Sequence, residues 1–142
     1  MCGIAGYIGK KRIDKHLINH TLGLMKNRGP DNQSANDFKT NDIYVYLLHS
    51  RLSIIDLNER SDQPFRNKNH SLIFNGEIYN YIELRNDLKN KGHHFKTNSD
   101  TEVLIKSYEE YGQKCVQYFN GMWSFAIWDG NERRLLLSRD RF

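Results

Sequence analysis

The residue with the clearest chemical potential stands second in the chain, in "MCGIAGYIG". If Met1 is removed, Cys2 carries a thiol and a free α-amine on one residue, a nucleophile with a base built in. The amine could take the thiol proton, as in the known pairing of a nucleophile with an N-terminal amine. With Met1 retained, Cys2 has only an amide nitrogen, which is no base. Three further points could serve such a nucleophile. Asn75-Gly76 in "FNGEIYN" reads either as a tight turn or as an oxyanion hole, from a side-chain amide and a backbone N–H. Arg51 in "HSRLSIID" is either a water-facing residue at a strand edge or a bidentate clamp for a carboxylate. Asp100 in "TNSDTEVL" is either a helix N-cap or a carboxylate for a substrate ammonium. Thiol, oxyanion donors, cation and anion together would suit an amidase acting on a zwitterionic amino acid. "NRGPD" reads as a helix stop and turn.

These residues need elements to hold them. "CGIAGYIG" reads as a short buried strand ended by Gly9. "DKHLINHTLGLMKNRGPD" has apolar residues at helical spacing and should stop near Asn27, ahead of Gly29 and Pro30. "DIYVYLLHS" and "RLSIID" read as two β-type runs, and "SLIF" as a strand followed by an "NGE" turn. "IYNYIELRNDLKNKG" places Tyr81, Leu84 and Leu88 on one helical face, with Gly92 as its stop. "SDTEVLIKSYEEYG" is a second helix, capped by Ser99 or Asp100 and ended by Gly112. "QKCVQYFNG" is a short helical piece. "MWSFAIWD" and "RRLLLSRD" form a hairpin through Asp129-Gly130. Local strand pairs mixed with helices imply an antiparallel sheet system with helices on its faces.

Composition narrows the classes. The 142 residues are 38% hydrophobic and 27% charged, with two prolines, so a disordered chain is excluded. Net charge is +4 and the pI about 9.1, but the basic residues are scattered among acidic ones. The expectation is a solvated surface, with no nucleic-acid partner. Two cysteines make no disulfide framework and favour a reducing, cytoplasmic setting. There is no signal peptide pattern and no membrane-length apolar run. The six histidines lack a ligand-type pattern, so no metal is expected. Cys115 lies in an apolar helical setting and is expected in the core.

Taken together, "MCGIAGY", "RGPD", "HSRLSIIDL", "DQPF", "FNGEIYNYIELR", "TNSDTEVLI" and "FNGMWSFAIWD…SRDRF" resemble, in order, the class II glutamine amidotransferase domain of glutamine-hydrolysing asparagine synthetases of the B type. The resemblance runs from Met1 to Phe142. It implies an α+β fold, a four-layer α/β/β/α sandwich of antiparallel sheets of the N-terminal-nucleophile hydrolase type. It also implies roles. Cys2 would attack the glutamine side-chain amide, with Asn75 and Gly76 as the oxyanion hole. Arg51 would hold the α-carboxylate. Asp100 would receive the α-ammonium with Glu77 close by, and backbone around Ile54 and Ile55 would line the pocket. Ammonia would pass to a synthetase domain using ATP and Mg, whose pyrophosphate loop this sequence lacks. No cofactor is therefore expected for residues 1–142. The last strand stops at "SRDRF" without a turn, so the glutaminase domain is expected to be incomplete at its C-terminal end. Full-length relatives imply a possible homodimer. Two other readings stand beside this one. The chain could be a catalytically silent remnant or interaction module, or part of a relative that amidates a sugar acid or another carboxylate.

Overall fold

The structure, a computed structural model, describes residues 2–141. Met1 and Phe142, the two ends of the expected domain, lie outside the described residues.

Seven strands form two antiparallel sheets. The first sheet has the order β1 (Gly3–Gly9), β3 (Ile43–Arg51), β2 (Asn32–Thr40). The second runs β4 (Phe65–Asn67), β5 (His70–Ile78), β6 (Gly121–Asp129), β7 (Arg134–Arg139). The side-chain period of two sorts their residues between two faces. Val45 and Leu47 of β3 meet Ile73 of β5 and Ala126 and Trp128 of β6, which makes the layer between the sheets. Tyr46 and Leu48 point the other way, onto Leu22 of α1 (Lys15–Leu24). Leu72, Phe74 and Ile78 of β5, with Phe125 and Ile127 of β6, face α2 (Tyr81–Asn90) and α3 (Asp100–Tyr111). The layers are therefore helix, sheet, sheet, helices, the α/β/β/α sandwich expected.

Cys115 is fully buried in that last core cluster, and burial pushes its thiol up to about 12. Helices α2 and α3 end at the glycines read as stops, Gly92 and Gly112, each with positive φ. Ser99 caps α3, its hydroxyl accepting the Glu102 N–H at 3.2 Å.

Several readings are corrected. "NGE" is no turn: Asn75, Gly76 and Glu77 continue β5, paired with Ser124, Trp123 and Met122. A Cβ on Gly76 (φ +156) would lie 2.2 Å from the Met122 carbonyl oxygen, so this glycine serves close approach of two strands. "RLSIID" is no strand: Arg51 ends β3 and residues 52–56 are irregular. Arg51 is no water-facing edge residue either, being 5% exposed on the central strand of its sheet. Two further strands, β2 and β4, occupy segments with no strand reading. The pairings β1–β3 and β5–β6 bridge intervening helices, so the strand pairing is less local than the sequence implied.

Candidate active site

One cleft of about 170 Å³ is lined by Cys2, Arg51, Ile54, Ile55, Asn75, Gly76, Glu77 and Asp100 together. All eight residues singled out from the sequence meet there. They arrive from separate elements: Cys2 just before β1, Arg51 at the end of β3, Asn75 to Glu77 late in β5, and Asp100 at the start of α3.

Cys2 is half-buried. Its thiol faces the backbone of Leu52, whose N–H donates to Sγ at 3.4 Å, while the Leu52 carbonyl lies at 3.7 Å. The "RGPD" turn now has a purpose. Arg28 donates to the Cys2 carbonyl at 3.5 Å. A Cβ on Gly29 would lie 2.2 Å from the Ser50 carbonyl oxygen, so only glycine lets the turn lie against β3. Asp31 accepts the Ser53 N–H at 2.7 Å, which anchors the loop after Arg51.

The edge of β5 away from β6 carries the oxyanion candidates. Phe74 N–H donates to Gln63 Oε1 at 2.6 Å and Ile78 N–H to Asp100 Oδ2 at 3.1 Å, both on that edge. Ladder direction alternates along an antiparallel strand, and the pairing of β5 with β6 runs without a bulge from residue 70 to 78. The Gly76 N–H must therefore leave on the same edge, between these two, into the cleft. The Asn75 carboxamide makes no hydrogen bond among the described residues, and its oxygen is buried. One donor from the backbone and one from a side chain thus border the cleft that Cys2 lines.

The two charged anchors differ in how they are held. Asp100 is 5% exposed. Burial pushes its carboxyl up to about 6; the Ile78 N–H pulls it down, and the charge of Glu77 adds to the rise. Its position is fixed by the preceding turn. The Glu102 carboxylate accepts the Thr97 N–H and hydroxyl, both at 2.7 Å, and Arg85 of α2 donates to the Thr97 and Ser99 carbonyls at 2.7 and 2.8 Å. Arg51 is already bound on its Nη atoms. Nη1 donates to Asp62 Oδ1 at 2.6 Å and to the Asn58 carbonyl at 3.1 Å, and Nη2 to the Ile55 and Asp56 carbonyls. It both lines the cleft and organises the loop that forms one wall. Asp56 ties that loop to the α3 turn, accepting the Asn98 N–H at 2.7 Å. Burial works against its charge, but hydrogen bonds from Asn98 and Asn58 prevail and hold the carboxyl well below the usual range.

Ser61, Gln63, Thr101 and Met122, which had no expected role, also line the cleft, as does Ser99, expected only as a helix cap. Gln63 lies in "DQPF" and Ser99 and Thr101 in "TNSDTEVLI", so the motifs were visible although the contacts were not. A larger cleft, of about 500 Å³, opens between the sheets beside β1 and β7, but its walls are mainly apolar.

Comparison with known proteins decides the family. The model for the glutamine amidotransferase domain matches residues 1–142. The chain belongs to that family. Asparagine synthetase [glutamine-hydrolyzing] 1 of Bacillus subtilis is 40% identical over 149 residues, covering 100% of this chain and 23% of the relative. Asparagine synthetase [glutamine-hydrolyzing] 3 of the same organism is 36% identical over 148 residues, covering 99% and 23%. The glutamine phosphoribosylpyrophosphate amidotransferase of B. subtilis superposes with a TM-score of 0.56 at 27% identity, over 68% of this chain and 23% of that one. This amidotransferase domain thus has the N-terminal-nucleophile hydrolase architecture expected of it. It spans about a quarter of the length of the curated relatives it matches. No helix among the described residues is long and apolar enough to cross a membrane.

Proposed function

We propose that residues 1–142 form a glutaminase unit that releases ammonia from glutamine for an asparagine synthetase-like amidation. The observation that carries this reading is the convergence of thiol, oxyanion donors, cation and carboxylates on one cleft. Glutamine would enter with its α-ammonium toward Asp100 and Glu77 and its α-carboxylate toward Arg51. Cys2 Sγ then attacks the side-chain carbonyl carbon. A carbon–sulfur bond forms, and the negative oxygen is met by the Gly76 N–H and the Asn75 amide. The α-amine of Cys2, free once Met1 is gone, passes the thiol proton to the leaving nitrogen. The carbon–nitrogen bond breaks, giving ammonia and a γ-glutamyl thioester. Water then adds to the thioester carbon, the carbon–sulfur bond breaks, and glutamate leaves.

The ammonia acceptor is an activated carboxylate, aspartate in the parent reaction, on a synthetase domain that supplies ATP and Mg chemistry. This domain itself uses no cofactor or metal, and no step above passes through one. A cytoplasmic location and a homodimer of the full-length protein complete the proposal.

The test is glutamine hydrolysis by the wild type, Cys2→Ala and Asn75→Ala. Cys2→Ala is expected to abolish glutamate release. Asn75→Ala is expected to lower turnover roughly a hundred- to a thousandfold, with glutamate affinity changed less. Full activity in Cys2→Ala would overturn the mechanism.

A further inference from the structure

The nucleophile and the oxyanion donors come from different sheets, so something must set their separation. Cys2 leads into β1, which pairs with β3. Asn75 and Gly76 belong to β5 in the other sheet. One polar link between the sheets, next to the donors, is made by His49 of β3. It is 0% exposed, and its Nε2 lies 3.1 Å from the Phe74 carbonyl oxygen. A carbonyl only accepts, so Nε2 carries the proton, and the buried Nδ1 has no partner among the described residues. Burial lowers the imidazole to about 4, so it stays neutral, with one proton in one place.

The carbonyl so held belongs to the peptide that joins Phe74 to Asn75. The N–H of the same Phe74 is held by Gln63 at 2.6 Å, and Gln63 is braced in turn by its amide on Thr101 Oγ1 at 3.4 Å. β4 pairs with β5 only as far as Leu72. Beyond that point the strand edge has no neighbouring strand among the described residues, and side chains stand in for one. His49 and Gln63 satisfy Phe74, and Asp100 satisfies Ile78. Between them the Gly76 N–H is left for the cleft.

We propose that His49 and Gln63 are positioning residues of the oxyanion hole, replacing a neighbouring strand at Phe74 so that Asn75 and Gly76 present their donors at a fixed distance from Cys2. The proposal rests on the glutaminase reading of the site. Neither residue touches the reacting atoms. Both act through the Phe74 peptide.

The experiment uses the whole chain and two readouts. Turnover, glutamine KM and glutamate affinity are measured for wild type, Cys2→Ala, His49→Met, His49→Gln, Gln63→Met and Gln63→Glu. His49→Met and Gln63→Met are expected to lower kcat by up to roughly a hundredfold, the penalty of a small misplacement at a reacting centre. Glutamate affinity should stay near wild type. His49→Gln, whose amide can still donate to the Phe74 carbonyl, and Gln63→Glu, which keeps the acceptor for the Phe74 N–H, should recover most of the loss. Parallel loss of kcat and glutamate affinity, or no loss of kcat, would overturn the proposal. Amide hydrogen exchange by NMR supplies the second readout and needs no activity. Phe74 and Ile78 should be protected and Gly76 not. Protection of Gly76 like its neighbours would overturn the inference even in a fully active protein. Activity retained by Cys2→Ala would strike only the glutaminase reading.

Discussion

Gly76 and Met122 approach so closely across β5 and β6 that a side chain at Gly76 would collide with the Met122 carbonyl 2.2 Å away. The partner strand repeats the device, since a Cβ on Gly121 would lie 2.1 Å from the Glu77 carbonyl oxygen. The two glycines flank the Glu77–Met122 pair, so the strand end that carries the proposed oxyanion donors is drawn tight against β6. Gly76→Ala is expected to cost about 1–3 kcal/mol from its backbone conformation alone, and more from the collision. Glutamine turnover should be lost with it. Gly92→Ala is the control. Gly92 has φ +92 but nothing within 4 Å of its Cβ position, so the variant should lose some stability and no activity. Thermal melts beside turnover check both, and equal behaviour of the two variants would remove the argument from close approach.

With the ammonium-binding role proposed for Asp100, stability and binding pull in opposite directions at this residue. Its carboxyl moves from 3.8 in the unfolded chain to about 6 in the fold. Between those values the folded state binds more protons, so this group's contribution to stability declines as pH rises, and the full cost is present above about 6. The ceiling on that cost is roughly 3 kcal/mol. Asp100→Asn keeps an acceptor for the Ile78 N–H and removes the buried charge. It should melt higher than wild type at pH 7.5, with the gain gone near pH 3.5, and should bind glutamate more weakly. For the wild type, kcat/KM should fall as pH drops through about 6. His49 runs the other way: with its imidazole lowered to about 4, its share of stability is lost as pH falls from 6.5. The comparison of wild type with Asp100→Asn at each pH isolates the Asp100 contribution. A variant that melts lower at pH 7.5 and binds glutamate normally would contradict both halves.

The candidate residues that meet in the cleft could be picked out because their types are scarce and suggestive: a thiol next to Met1, an Arg in an apolar run, an Asp at a helix start. What surrounds them was less so. Asn75-Gly76 carries a strong turn signal, yet the glycine is used to admit a neighbouring carbonyl, and sequence cannot tell these two uses apart. β2, "NQSANDFKT", is a polar edge strand with Phe38 as its one large apolar residue, so no alternating pattern announces it. β4 is three residues long. The helices and the β6–β7 hairpin were readable because apolar period, stops and turn residues agree. The roles of His49 and Gln63 lie in hydrogen bonds to the backbone of a distant strand, and no local pattern encodes those.

Arg51 cannot be treated as a clean binding residue. Removing its guanidinium frees the carbonyls of Ile55, Asp56 and Asn58 and the Asp62 carboxylate at once. Arg51→Lys keeps the charge but not the fork. It should weaken glutamate binding roughly ten- to a hundredfold, the range for a charged hydrogen bond, and also loosen residues 52–62. Calorimetry with glutamate measures the first and limited proteolysis the second. Unchanged glutamate affinity in a variant whose loop is cut faster would make Arg51 a purely structural residue.

The last prediction concerns which cysteine reacts, and when. Cys115 is fully buried in the core around α3, with its thiol pushed up to about 12, so at neutral pH it is protonated and out of reach. Cys2 is half-buried, lines the cleft and receives the Leu52 N–H. A glutamine-like electrophile should therefore add to Cys2 alone in the folded protein, and glutamate should protect against it. Peptide mapping locates the adduct, and an adduct on Cys115 before unfolding would contradict the assignment. Maturation adds a second condition. The proposed base is the α-amine of Cys2, which exists only after Met1 is removed. Intact-mass measurement on the same samples should show that labelling and glutamine turnover rise together with the fraction lacking Met1. Turnover in a preparation that retains Met1 throughout would rule out the amine as the base and leave the thiol to find another, for which the described residues lining the cleft offer the carboxylates of Glu77 and Asp100.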